Sequence, residues 1–223
     1  MFEFLLLALF LGIKHSFDAD HIIGVSNLLI KSKSLINTIK MSISWAIGHM
    51  LTAVLITFLL FAFKDSIFLL ILNNLDKFEI LVAIMLIILG VISLYQARFF
   101  HSHYHEHEHE NTSEEHSHFH MHLKNNNLNH SHKHMFGIGI IHGFASNDEL
   151  LLLLTVSLGL TSLIEIIFSV AIFSLGVVIG MVAFGIFLTY PIIKIKSETL
   201  LKIVNAVVGS ASIIYGVIML TGF

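Results

Sequence analysis

The chain has 223 residues, 56% of them hydrophobic and 12% charged, with a mean hydropathy of +0.87 and a formal net charge of −3. A soluble domain carries about 25% charged residues, so an ordinary soluble globule is excluded and a bilayer is the implied solvent. Cysteine is absent, which removes disulfides, thiol redox chemistry and thiolate metal sites.

At about 20 residues per crossing, this length allows about six spans and leaves no room for a nucleotide-binding motor. Six apolar stretches stand out, near 2–29, 38–63, 78–99, 135–158, 162–190 and 200–222. The first is too long for a signal peptide, lacks a basic leading region and contains His15, Asp18, Asp20 and His21, so it reads as a retained span. Transmembrane barrels need alternating segments of about ten residues, and these unbroken runs are twice that. The expected fold class is therefore all-α, a polytopic membrane protein of about six transmembrane helices.

With six spans, loops 1–2, 3–4 and 5–6 share one side. They carry Lys31, Lys33, Lys40, Arg98, Lys124, Lys133, Lys194, Lys196 and Lys202, against Lys64 and Lys77 opposite. The positive-inside rule then places those loops in the cytoplasm, both termini outside and the protein in the cell membrane.

The first span holds GIKHSFDADH at residues 12–21, and the fourth holds GIIHGFASND at 139–148. With a shift of 127, Gly12 matches Gly139, Ile13 matches Ile140, His15 matches His142 and Phe17 matches Phe144. Asp20 falls on Asn147 and His21 on Asp148. Three spans per half is an odd number, so the second copy would be inverted. That is the plan of many secondary transporters, whose substrate site lies at the midplane between the repeats. The expected division is 1–99 and 135–223 as two three-helix repeats around a linker at 100–134.

Ionisable groups inside a span cost several kcal/mol unless they face a partner or water, so each is a candidate site residue. The first span offers Lys14, His15, Asp18, Asp20 and His21, the second His49, the fourth His142, Asp148 and Glu149. Imidazole with carboxylate and no sulfur suits a borderline divalent transition metal. The candidate metal ligands are His15, Asp18, Asp20, His21, His49, His142 and Asp148. On a continuous helix Asp20 points away from His15, Asp18 and His21. Either the helix unwinds near Asp18–Asp20, with Gly12 and Gly24 permitting the break, or Asp20 has a separate task. The bland readings are that His49 bonds a neighbouring helix, that Asp18 pairs with Lys14, that Gly48, Gly176 and Gly180 allow close packing, and that Trp45 only packs.

Residues 100–134 are a low-complexity linker with twelve histidines: His101, His103, His105, His107, His109, His116, His118, His120, His122, His130, His132 and His134. With five glutamates among them they make an accessory metal chelator, expected to be disordered without a ligand and to weaken below about pH 6 as imidazoles protonate. Expression tags are terminal and uniform, whereas this run is internal and mixed with Glu.

His15-Ser16-Phe17-Asp18-Ala19-Asp20-His21 reads H-x4-D-H, within LGIKHSFDADHIIGVSN. This resembles the signature of the nickel/cobalt transporter family (NiCoT) and the wider NicO group. Gly48-His49 resembles that family's second motif, although Met50 and Leu51 replace the small hydroxyl residues that follow it and only Thr52 keeps a hydroxyl nearby. HGFASNDELLLL looks like its later motif-bearing span. The resemblance covers spans one, two and four. It implies a permease for Ni²⁺ or Co²⁺ as transported substrate, with His15, Asp20 and His21 essential and His49 contributing. The motif's place on the first span and the His-rich loop look more like the shorter efflux branch than the longer uptake permeases.

The resulting expectation is a secondary-type transporter of Ni²⁺ or Co²⁺, not an enzyme, with no permanent cofactor and no nucleic-acid partner. No G-x-x-x-x-G-K-[ST] is present, so this chain does not hydrolyse ATP through that motif. The rivals are a membrane-embedded zinc metallohydrolase, against which stands the lack of H-E-x-x-H, and a metal-binding membrane subunit of a larger importer.

Overall fold

A computed structural model describes residues 2–72, 75–99, 103–109, 112–120, 131–145 and 163–222. The helices are α1 (Phe2–His15), α2 (Ala19–Leu29), α3 (Leu35–Leu72), α4 (Leu75–Phe99), α5 (Ser131–Ala145), α6 (Leu163–Ile195) and α7 (Glu198–Thr221). Four helices among the described residues are long and apolar enough to cross a membrane, within α3, α4, α6 and α7. The fourth expected span begins as α5, and its remainder to 158 lies outside the described residues.

The first expected span is two shorter helices. After His15 the chain tightens: Phe17 N–H donates to Lys14 O at 2.9 Å and Asp18 N–H to His15 O at 3.1 Å. Asp18 then takes extended backbone, φ −63° and ψ 147°, as the N-cap of α2. Its carboxylate forms no cap bond, because it turns back to His15. Of the two alternatives, the helix does break. The glycines expected to permit the break do not lie at it; Gly12 and Gly24 are one turn or more away, at packing positions.

Two helix crossings are built alike. A Cβ on Gly12 would strike Phe173 O and fall 3.1 Å from Val177 N, where α1 meets α6. A Cβ on Gly139 would strike Trp45 O and fall 3.1 Å from His49 N, where α5 meets α3. From the other side, Gly176 meets Leu9 O and Ile13 N, and Gly48 meets Phe136 O and Ile140 N. Every member of one crossing has its counterpart in the other, offset by 127 on α1/α5 and by 128 on α3/α6. Such backbone approach requires small residues, which is how helices associate where lipid removes the hydrophobic drive. Gly48 and Gly176 therefore pack as expected, and Gly180 does so against Ser16.

The order of these contacts sets direction. Gly176 meets Leu9 and Ile13, and Gly180 meets Ile13 and Ser16, so α1 and α6 run the same way. α5 and α3 do likewise, with Gly48 against Phe136 and Gly143 against Thr52. α4 and α7 are antiparallel: Gly90 packs on Gly209, Gly216 on Ala83, and Ser93 Oγ donates to Asn205 Oδ1 at 3.0 Å. The buried core, including Trp45, Phe173, Val177 and Met181, lies where α1, α2, α3, α5 and α6 meet. Phe187, at 79% exposure, and many aliphatic side chains face outward.

Within the His-rich linker, residues His103–His109 and Thr112–His120 pair as antiparallel strands. His103 pairs with His120, His105 with His118 and His107 with His116. The linker lacks an apolar period, but its H-x-H-x alternation has the strand's period of two.

Candidate metal centre

The four histidines outside the linker converge. His15, His21 and His142 are fully buried and His49 is 2% exposed. The break in the first span brings this about. His15 closes α1 and His21 follows two residues into α2, so their rings meet at 4.6 Å between centroids. His49 arrives from α3, 5.0 Å from His15 and 5.2 Å from His21, and His142 from α5, 5.1 Å from His21.

His15, His21 and His49 each offer a ring nitrogen, all within 4.8 Å of one another. Nitrogens around one ion at about 2.1 Å stand about 3.0–3.4 Å apart, so small ring rotations would bring the three onto a shared ion. His15 Nε2 already lies 3.1 Å from His49 Nε2.

Two carboxylates stand behind the imidazoles. His15 Nδ1 lies 3.0 Å from Asp18 Oδ2, and His21 Nδ1 lies 2.9 Å from Asp20 Oδ1. A carboxylate accepts, so both rings carry a proton on Nδ1 and, when neutral, turn the Nε2 lone pair inward. For His21 that nitrogen is buried with no hydrogen-bond partner among the described residues. Asp20 is 7% exposed and sits beside His21, because α2 starts a new helical phase after the break. The continuous-helix argument that turned it away does not apply. Asp18 also approaches Lys14, at 3.9 Å, but its closer partner is His15.

His142 joins the cluster on different terms. Its Nδ1 accepts from Trp45 Nε1 at 3.1 Å, and its Nε2 has no partner among the described residues. A Cβ on Gly24 would fall 2.7 Å from His142 Cε1, so this glycine makes room for the ring. The sequence leaves Trp45 open between packing and function. It is fully buried, with its ring centre 4.9 Å from His21 and 5.2 Å from His49. Its position four residues before His49, one turn back on the same helix face, was the available signal.

Asp148 and its neighbours Asn147 and Glu149 lie outside the described residues, as do His101, His122 and His130. His103, His105, His107, His109, His116, His118 and His120 lie on the paired strands, and His132 and His134 begin α5. Glu165 is in the first turn of α6.

Residues 21–218 match the family described as cytochrome C biogenesis protein transmembrane region. Over 222 residues the chain is 29% identical to the urease accessory protein UreH of Bacillus sp. (strain TB-90), a match covering 97% of this chain and 90% of that protein. No solved structure matches the chain. The match across most of its length places the chain in that transmembrane family.

Proposed function

We propose that this chain, a multi-pass membrane member of that family, is a permease for Ni²⁺ or Co²⁺ in which the ion crosses through the buried histidine cluster. The observation that carries the reading is the convergence of His15, His21 and His49, with carboxylates holding two of the rings so that Nε2 faces inward. Nitrogen donors without sulfur suit a borderline divalent ion. A dehydrated dication in a membrane needs compensating charge, and Asp18 and Asp20 supply two negative charges one atom layer behind the imidazoles. The H-x4-D-H resemblance narrows the ion to nickel or cobalt.

The architecture in this reading is six spans in two inverted three-helix repeats. Alternating spans would make the first and fifth parallel, the second and fourth parallel, and the third and sixth antiparallel. The directions of α1 with α6, α5 with α3, and α4 with α7 agree with this, and so does the matched pair of glycine crossings. The lysine distribution supports termini outside and the His-rich linker in the cytoplasm, where it would gather or buffer metal. An ion gradient or the membrane potential would drive transport. A thiol route to cytochrome C assembly is closed to this chain, because it has no cysteine.

The test is metal flux into proteoliposomes containing the purified chain, beside His21→Ala and a variant lacking residues 101–134. Expected is Ni²⁺ or Co²⁺ flux that His21→Ala abolishes and the linker deletion reduces without abolishing. Flux that ignores His21→Ala would show that the ion passes elsewhere. Absence of flux in the unaltered chain would move the metal-binding-subunit reading ahead.

A further inference from the structure

His15 and His142 hold matching places in the two crossings, and so do the aromatic residues they meet. His15 packs on Phe173 at 5.5 Å and His142 on Trp45 at 5.7 Å between ring centres. The hydrogen bonding differs. An indole N–H only donates, so His142 Nδ1 must hold its lone pair toward Trp45 and the proton of the neutral ring is on Nε2. His15 and His21 have the opposite tautomer, imposed by Asp18 and Asp20. The His142 nitrogen beside Gly24 and the α2 surface therefore presents a hydrogen, buried and without an acceptor among the described residues. A nitrogen bearing a hydrogen does not ligate a cation. His49 Nε2, which donates to the Nε2 lone pair of His15, must likewise give up its hydrogen to Nδ1 before it ligates, but the single indole N–H holds the Nδ1 lone pair of His142 and not that of His49.

We infer that Trp45 is a positioning residue that withholds His142 from the metal, and that breaking the Trp45–His142 hydrogen bond adds a fourth imidazole to the site during transport. The inference rests on the metal reading of the His15–His21–His49 cluster. His142 has to approach, since it stands outside the group of three whose ring nitrogens lie within 4.8 Å of one another, but its ring is already beside one member. His142 lies as close to His21 as His49 does, 5.1 Å against 5.2 Å. Once Trp45 lets go, the ring's single proton can reside on Nδ1, and Nε2 gains the lone pair that binds the ion. The site would then have two coordination states, three histidines with Trp45 engaged and four with it released. An ion passed between half-sites needs such a change, because a fixed four-histidine cage would retain it.

Trp45 is the sole tryptophan in the chain, so indole signals from the full-length protein report on this bond alone. In ultraviolet resonance Raman spectra the metal-free chain should show a hydrogen-bonded indole N–H, lost in His142→Ala. Quenching of Trp45 fluorescence by Ni²⁺ marks occupation of the cluster and should vanish in His21→Ala. The expected result is that the hydrogen-bond signature disappears in step with quenching. Quenching with an unchanged signature would overturn the inference and leave the metal reading intact. Absence of His21-dependent quenching would overturn both. In equilibrium dialysis, Trp45→Phe should bind its tightest Ni²⁺ about tenfold more strongly, a change within the range produced by altering an outer-shell partner. Trp45→Phe with His142→Ala should erase that gain, because the linker contributes equally to both. A purely structural Trp45 would give no gain in the single variant.

Discussion

The crossing of α1 on α6 and the crossing of α5 on α3 share one backbone design. Glycines bring carbonyl against Cα at matching positions, and the helices run in the same direction in both. The chemistry set on that design differs. One crossing carries His15 with Asp18 behind it and Phe173 beside it; the other carries His142 with Trp45 as its partner. Packing tolerates only one solution at such close approach and repeats it. Side chains facing the cluster are free to diverge, and they give two imidazoles opposite tautomers.

The largest expected effect tests whether the two crossings are equivalent. Gly12→Val and Gly139→Val should each destabilise the protein by about 3 kcal/mol or more, the upper range of overpacking, because the obstructing atoms are backbone. Thermal unfolding in detergent would measure this. Gly137→Ala is the control on α5: nothing among the described residues lies within 4 Å of a Cβ there, so it should stabilise by up to about 1 kcal/mol by removing a helical glycine. If Gly12→Val were tolerated while Gly139→Val unfolded the chain, the equivalence of the crossings would be lost.

Much of this was legible in the sequence, and what was not has physical causes. The apolar stretches at 38–63, 78–99, 162–190 and 200–222 lie within or closely match α3, α4, α6 and α7. Their pairing was hidden. In lipid both the packed and the exposed faces of a helix are apolar, so periodicity does not separate them and only small residues mark the contact. The candidate ligands were visible because each is costly in a membrane. The place of Asp20 stayed open between a continuous and an unwound helix, and the break, which restarts the helical phase at Ala19, decides for the second. Trp45 went unassigned because an aromatic residue in a span carries no signal until its neighbour is known.

A middle-sized effect separates the two carboxylates. Asp20→Asn keeps a partner for His21 Nδ1 but removes a buried negative charge, and should weaken Ni²⁺ binding about 10–100-fold, as loss of an outer-shell partner does. Asp18 is 29% exposed and shared with Lys14. Water can replace part of what it supplies, so Asp18→Asn should cost less than about tenfold. Titration of Trp45 quenching by Ni²⁺ reads both. Equal losses would mean that the site sees only total charge and not the orientation of each ring.

The smallest effect lies between the crossings rather than inside either. α3 and α6 belong to different crossings, and they touch through Thr38 Oγ1 and Thr189 Oγ1 at 3.0 Å, with Ser32 Oγ 2.9 Å from Thr38. Each threonine hydroxyl also has a carbonyl within reach, Ser34 O for Thr38 and Gly185 O for Thr189, and with one hydrogen apiece one of the two gives up its carbonyl to make the cross-helix bond. Losing the cross-helix bond therefore strands neither group. A double-mutant cycle with Thr38→Val and Thr189→Val should give a coupling of about 0.6 kcal/mol, the average for interhelical hydrogen bonds in a membrane. The contrast with the glycine positions is mechanical. Where backbones touch, the helices move as one body; α3 and α6 meet through side chains instead, the threonine hydroxyls and Gly185 against Thr38 and Ser42, and such a contact can shift at lower cost. A coupling above about 2 kcal/mol, beyond the largest such value expected, would mean that the crossings are locked together. Motion would then have to come from within the broken first span.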